Sequence, residues 1–294
     1  MLTVKNLNCI VCNGLALKRR VKKKNRIYYQ CKTCGLTQQL PRPSLVIVEN
    51  IYNGEEKYLF KKNEGMDTEF MRKTQEFYYT FLQRFLKTKE IHVLDFGCGF
   101  GAMTGLLKSK GYDNIEALDI SEWNTNFVHD KYGVKTHTGF LKDMDFPDGS
   151  FDLVIALHVI EHLPDPFLEF REINRILAKG GMFFIGTPNG DSLFAKMSQA
   201  KWRYYIPDEH INIFNHKSIN FILKKAGFKL LTINDYLYRK TSFIVYVKEI
   251  IKPIAIYMIR TVFHRTTLNN FSTSRDGMII VAKKISNLHT ALLT

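Results

Sequence analysis

The stretch VLDFGCGFGAM, residues 93–103, places three glycines at alternate positions, Gly97, Gly99 and Gly101, directly behind an apolar run. Glycines at this spacing permit a sharp turn and let backbone N–H groups approach a ligand closely. Met103, Leu106 and Leu107 then recur at helical intervals, so the stretch predicts a strand, a turn and a helix in succession. Such a unit opens a doubly wound α/β sheet, whose ligand lies at the carboxyl ends of the central strands. The same residues also read as G-x-G-x-x-A, with Ala102 in the third small position of the dinucleotide fingerprint. The turn by itself therefore leaves the ligand open.

The remainder of the chain continues the alternation. A helix is predicted from Asp67 to Leu86, a first strand at 91–96 and a helix ending near Gly111. A second strand at 115–120 precedes a helix that Ser121 is placed to cap, followed by a short strand at 134–137. FDLVIAL, 151–157, is the near-continuous apolar run that a buried parallel strand requires. An amphipathic helix is predicted over 164–181, closed by glycine, then a strand at 182–188 and a helix at 217–228 with Gly227 near its end. KLLTINDYLY and GMIIVAKK supply the last strands.

The front of the chain has a different character. Residues 1–48 contain ten Lys or Arg and no Asp or Glu, whereas the other 246 residues carry 32 basic and 28 acidic side chains. Most of the net charge of +14 thus belongs to a small N-terminal module. Within it, Cys9-x2-Cys12 and Cys31-x2-Cys34 stand eighteen residues apart, a spacing that supplies four thiolates to one structural Zn²⁺. A segment of this size has little core of its own, so metal must offset its chain entropy. The basic run RRVKKKNR between the knuckles reads either as a phosphate-contacting patch or as the solvated tip of a ribbon hairpin. PRPS, 41–44, marks the module boundary, which gives 1–44 as ribbon, 45–89 as linker and helix, and 90–294 as the main domain. The apolar content of 45% suffices for a full core, and MLTVKNLNCIVC shows no uninterrupted apolar signal region. Five patterned cysteines suit a reducing cytoplasm.

Two carboxylates narrow the choice of ligand. Asp95 precedes Gly97 by two residues, where a negative charge repels pyrophosphate and favours an ammonium group. Asp119 ends the second strand, twenty residues after Gly99, where a carboxylate takes both ribose hydroxyls. Together they suit an adenosine with a cationic amino-acid tail, which is S-adenosylmethionine.

At this point the sequence resembles the class I (Rossmann-like) S-adenosylmethionine-dependent methyltransferases. VLDFGCGFG is similar to the family's first motif and ALDIS to its second. DMDFPDGSFDLV resembles its D-x-P-F-x-D-x-S-F-D-x-V stretch, and ALHVIEHLPDP the motif after the fourth strand. The four motifs occur in order across roughly residues 90 to 230. The resemblance implies a seven-stranded, mostly parallel sheet with an antiparallel last strand, for which GMIIVAKK is the candidate. It implies cofactor contacts at Asp95, Gly97, Gly99, Gly101, Asp119 and Ile120, with Asp143 and Met144 beside the adenine and Leu157 beside the methionine part. Phe140 departs from the acidic residue common in relatives. The front end resembles the zinc ribbon ahead of many bacterial members, a group often found in pathways to envelope sugars, lipids or secondary metabolites.

The implied function is methyl transfer to a hydroxyl of a small-molecule, sugar or lipid-linked acceptor. Its rivals are an RNA methyltransferase that uses the basic ribbon and a non-catalytic zinc-binding adaptor. The absence of an N/D-P-P-Y/F motif after the fourth strand weakens the first, and the intact Asp95, glycines and Asp119 weaken the second. His158 and His210 are the candidate bases, with His162 beside Glu161 as a third histidine; each is otherwise a hydrogen-bonded structural residue. Glu161 and His162 are also similar to a metal-assisted quinone O-methyltransferase subgroup, but His158 replaces its neighbouring acidic residue, so no catalytic metal is expected. Finally, SFIVYVKEIIKPIAIYMIRTVFHR, 242–265, lies in an insertion at about 240–272. It is expected to be a lid over the site or a basic amphipathic segment on the inner membrane surface.

Overall fold

The computed structural model describes residues 8–53, 69–236 and 276–285. Its strands are β1 (Leu17–Lys23), β2 (Arg26–Cys31), β3 (Thr37–Leu40), β4 (Val93–Phe96), β5 (Ile115–Asp119), β6 (Lys135–Thr138), β7 (Phe151–Leu157), β8 (Leu177–Pro188), β9 (Asn212–Ile213), β10 (Phe228–Tyr236) and β11 (Gly277–Lys284). Its α-helices are α1 (Leu45–Asn53), α2 (Glu69–Leu82), α3 (Ala102–Ser109), α4 (Glu122–Tyr132), α5 (Pro166–Ile176), α6 (Leu193–Ser198) and α7 (His216–Lys225).

Seven strands form one sheet in the order β10-β11-β8-β7-β4-β5-β6. The pairs β8–β7, β7–β4, β4–β5 and β5–β6 are parallel, and β11 runs antiparallel to both β8 and β10. This is the seven-stranded, mostly parallel sheet with an antiparallel last strand that the sequence led us to expect. The central strands bury both faces, so alternate residues serve two cores. Leu94, Phe96, Val154, Ala156, Phe183 and Ile185 enter one, and Val93, Leu153, Ile155 and Phe184 the other.

Local chemistry ends the helices where the site needs them. Asp165 caps α5 by accepting from the N–H groups of Phe167 and Leu168, with Pro166 at the first helical position. Asn215 caps α7 in a reciprocal capping box with Ser218. Two boundaries differ from expectation. Helix α5 stops at Ile176 instead of continuing to the glycine pair, because Leu177 is fully buried and already pairs with Phe151 in the sheet. Ser121 occupies the N-cap of α4 without a side-chain hydrogen bond; Asp119 accepts its N–H instead. A helix, α1, also forms within the stretch read as linker.

The larger departure concerns the ribbon. Strands β1, β2 and β3 make an antiparallel sheet, and β9 of the main domain joins it as a fourth strand. Cys9, Val11, Cys31, Cys34 and Leu36 belong to the same buried cluster as Phe214, Ile219 and Phe183. The module shares its core with the main domain, which periodicity within 1–44 cannot reveal. The insertion at 242–265 lies outside the described residues. Among those described, no helix is long and apolar enough to cross a membrane.

One buried acid in the first turn of α5 gives the fold a pH dependence. Glu169 is 4% exposed and one of its oxygens has no hydrogen-bond partner. Burial, followed by the nearby Glu172, pushes its carboxyl up to about 7. Because this lies above the unfolded value, the stability that the neutral form contributes is complete at acid pH and is lost as pH rises toward and through 7. Glu169→Gln is therefore expected to stabilise the protein at pH 8 by at most ~3 kcal/mol and to change little near pH 4.5. Thermal denaturation at the two pH values checks this; equal shifts at both would contradict it.

Candidate active site

Strand β4 delivers the glycine turn to the carboxyl end of the sheet. Gly97, Gly99 and Gly101 all have positive φ, at 71°, 52° and 69°. A Cβ on Gly97 would lie 2.3 Å from Val159 Cγ2, and one on Gly101 would lie 2.8 Å from both Val128 Cγ2 and a Tyr132 ring carbon. Those two positions are closed by packing. A Cβ on Gly99 would meet nothing within 4 Å, so that glycine faces open space.

Asp119 stands at the mouth of this space, 8% exposed. Its Oδ2 accepts from the Gly99 N–H at 2.9 Å, and its Oδ1 accepts from Ser121 N–H at 2.9 Å and Asn124 Nδ2 at 3.0 Å. Three of a carboxylate's roughly four acceptor positions are thus filled, so a ribose diol would displace the Gly99 bond. Ile120 follows at the strand end, half-buried. Asp95 is placed differently from expectation. It is buried, and its Oδ2 accepts from the N–H and Oγ1 of Thr104 at 3.1 and 2.6 Å, which anchors α3. Burial pushes its carboxyl up to about 6. Asp143 lies exposed in the turn after β6 and bonds Lys142 at 2.7 Å, while Met144 is half-buried beside Gly139. Leu157 ends β7 against Gly186.

The next residue starts the second half of the site. His158 has φ of 57°, a left-handed conformation uncommon for a non-glycine residue, and its N–H donates to Gly186 O at 2.7 Å. Its Nδ1 bonds Glu161 Oε1 at 3.2 Å, and its Nε2 faces the hydroxyls of Tyr78 at 2.9 Å and Tyr236 at 3.4 Å. Glu161 is fully buried and its other oxygen accepts from Thr187 Oγ1 at 2.9 Å. Burial opposes its charge, but the bond to His158 and the surrounding imidazoles hold the carboxyl well below its ordinary value, at about 2. A charged Glu161 keeps the proton of His158 on Nδ1 and leaves Nε2 as the acceptor.

His162 and His210 complete the cluster, their rings edge to face at 4.6 Å. His162 Nδ1 contacts Glu209 O at 3.0 Å and the Tyr52 hydroxyl at 2.5 Å. A carbonyl only accepts, so Nδ1 carries the proton. Burial, then the neighbouring His210, lowers the His162 value to about 3, and burial lowers His210 as well, so both rings are neutral. His210 is 7% exposed, stacks on Tyr204, and its Nδ1 has no hydrogen-bond partner. One ligand-type atom from each of Glu161, His162 and His210 lies within 4.8 Å of the others. The structure thus gathers all three sequence-predicted histidines. It adds Tyr52, Tyr78, Thr187 and Tyr236, which come from four separate segments and have no shared spacing by which to find them.

The four cysteines converge as their spacing predicts. Cys9 Sγ lies 3.4 Å from Cys34 Sγ and Cys12 Sγ 3.5 Å from Cys31 Sγ, with all four sulfurs within 4.8 Å of one another. That is close to the edge of a tetrahedron with metal–sulfur distances of about 2.3 Å, so the set fits Zn²⁺.

A family model described as a methyltransferase domain matches residues 70–233. Ajmaline N-methyltransferase of Rauvolfia serpentina is 35% identical over 105 residues, which cover 33% of this chain and 36% of that enzyme. A SAM-dependent methyltransferase of Archaeoglobus fulgidus superposes with a TM-score of 0.52 at 23% identity, covering 78% of this chain and 99% of that one. A methyltransferase solved in complex with the Trm112 methyltransferase activator of Haloferax volcanii gives 0.58 at 18% identity, over 80% and 98%. These structural likenesses establish the fold.

Proposed function

Because the chain belongs to the methyltransferase-domain family, we propose that it transfers a methyl group from S-adenosylmethionine to a hydroxyl of a small-molecule, sugar or lipid-linked acceptor. Cys9, Cys12, Cys31 and Cys34 hold a Zn²⁺ whose coordination is closed, and whose role is therefore structural. The family alone leaves the acceptor atom open, since the ajmaline enzyme is an N-methyltransferase. What carries the hydroxyl reading is the His158–Glu161 pair. It sits at the end of β7, one residue from the Val159 side chain that packs against Gly97 of the cofactor turn.

A hydroxyl is a weak nucleophile until its proton is removed. The bound cofactor supplies a methyl on a sulfonium, a leaving group that needs no protein acid. With the cofactor bound, His158 Nε2 would take the acceptor's proton once the acceptor hydroxyl displaced those of Tyr78 and Tyr236 from it. Glu161 fixes the ring and stabilises the imidazolium that results. His210, neutral and with Nδ1 free of hydrogen bonds, lines the acceptor side. The basic hairpin formed by β1 and β2 is partly neutralised within the protein, because Arg20 pairs with Asp191 and Arg26 with Asp208. This weakens the reading of the ribbon as an RNA-binding patch.

Calorimetry tests the cofactor half. S-adenosylmethionine is expected to bind at micromolar Kd, and Asp119→Ala to weaken it by about 2–3 kcal/mol, roughly 30- to 150-fold, as a charged hydrogen-bond acceptor for the ribose is lost. Tight binding of NADH in its place would overturn the assignment.

A further inference from the structure

The ribbon meets the main domain at the two segments that carry the histidine cluster. Strand β3 pairs with β9 in the register Thr37↔Ile213 and Gln38↔Asn212, and the Gln39 N–H donates to Ile211 O at 2.9 Å, so the pairing begins one residue after His210. Gln39 also brackets the residues just before it. Its Nε2 donates to Asp208 Oδ1 at 2.7 Å and its Oε1 accepts from the Asp208 N–H at 2.8 Å.

The second segment is the loop after Glu161. Arg42 donates through Nη1 to Asn212 Oδ1 at 3.1 Å and through Nη2 to Leu163 O at 3.1 Å and Pro164 O at 2.6 Å. Asn212, fully buried, donates its N–H to Glu161 O at 3.0 Å and its Nδ2 to Leu163 O at 2.7 Å. One guanidinium thus locks the Glu161–Pro164 loop to the strand that follows His210. The chain just after the ribbon adds a third contact, the Tyr52 hydroxyl of α1 on His162 Nδ1.

The cysteines connect directly to this lock. Gln38, fully buried, straddles Cys9. Its Oε1 accepts from the Ile10 N–H at 3.0 Å and its Nε2 donates to Asn8 O at 2.8 Å, while its backbone sits in the strand paired with Asn212. By contrast, none of the hydrogen bonds described for Gly97, Gly99 or Asp119 comes from the ribbon.

We propose that the four-cysteine ribbon is the acceptor-side wall of the active site, in which Gln38, Gln39 and Arg42 are positioning residues that transmit the geometry of the cysteine cluster to His162 and His210 and leave the cofactor half untouched. This rests on the reading of the histidine cluster as the acceptor site. Metal occupancy at the cysteines would then set the arrangement of the histidines, and with it acceptor methylation, independently of cofactor affinity.

The test uses the full chain labelled with ¹⁵N at histidine, whose ring nitrogens report tautomers directly, together with calorimetry of S-adenosylmethionine and metal analysis. Wild-type protein is expected to hold one equivalent of zinc and to show His162 as a single Nδ1–H tautomer. In Arg42→Ala, and in wild-type protein stripped by a chelator, the His162 and His210 signals are expected to shift or broaden to a tautomer mixture, while the Kd for S-adenosylmethionine changes less than about threefold. Arg42→Lys, which keeps the charge but loses the fork that reaches three acceptors, is expected to fall between. If Arg42→Ala does not fold, Gln39→Glu, which sets a carboxylate against Asp208, carries the same expectation. Unchanged histidine signals in both the variant and the stripped protein would overturn the proposal. So would a loss of cofactor affinity parallel to the histidine changes, which would mean a general role in folding. Failure of the wild-type protein to bind S-adenosylmethionine would instead refute the methyltransferase reading and leave the ribbon–histidine coupling to be judged on the spectra.

Discussion

Turnover of His158→Asn, on an acceptor that the wild-type chain methylates, is expected to fall by about 10²–10⁴-fold, the range that loss of a positioned general base produces. Asparagine is the informative replacement because residue 158 has φ of 57°, which asparagine tolerates better than most side chains. The backbone hydrogen bond to Gly186 and the course of β7 should survive, so the Kd for S-adenosylmethionine should stay within about threefold. Glu161→Gln should lower turnover less, by roughly 10- to 100-fold, because a neutral amide still fixes the ring but no longer stabilises its positive charge. For the ring to stay fixed, the amide oxygen faces His158 Nδ1 and the NH2 donates to Thr187 Oγ1, whose hydroxyl then accepts instead of donating. Retention of full turnover in His158→Asn would move the base to His210 or show that the acceptor needs none.

Gly97→Ala is expected to destabilise the protein by about 2–5 kcal/mol, through a left-handed backbone and a clash with a packed neighbour. The new Cβ would lie 2.3 Å from Val159 Cγ2, 3.2 Å from Cγ1 and 3.3 Å from Cβ. Valine has one rotatable side-chain bond, so no rotamer clears all three atoms. The melting temperature should fall by roughly 5–15 °C. Gly99→Ala separates the two reasons for glycine in this turn. Its Cβ meets nothing, so only the backbone preference opposes it, at about 1 kcal/mol, yet the methyl group projects into the space assigned to the cofactor. Weak destabilisation with strong loss of S-adenosylmethionine binding is the expected pattern. Equal loss of stability in the two variants would show that the open space at Gly99 is not a binding cradle.

Features whose causes are local are legible in the amino-acid sequence. Alternation of apolar runs with helical periods is enough to order the strands and helices, because burial on one or two faces imposes periods of 2 and 3.6 on whatever chain adopts them. The three glycines mark a turn, Asp119 marks a strand end, and the paired cysteines mark a four-thiol cluster, each within a short window. Asp95 shows where that kind of reasoning stops. Its position beside the turn is local, but whether its carboxylate faces the ligand or Thr104 depends on how α3 packs. The same holds for α5, whose periodicity runs past Ile176 while the sheet claims Leu177. Only the packing of distant segments reveals the histidine cluster. Tyr52, Tyr78, Glu161, His210 and Tyr236 meet around two other histidines only because β7, β10, α1 and α2 converge at one end of the sheet. The ribbon, readable as a separate module from its cysteines, is bound to that convergence by Arg42 and by the pairing of β3 with β9, more than 170 residues apart in the chain. Periodicity records that a face is buried but not what buries it, so contacts between distant segments had to be read from the fold.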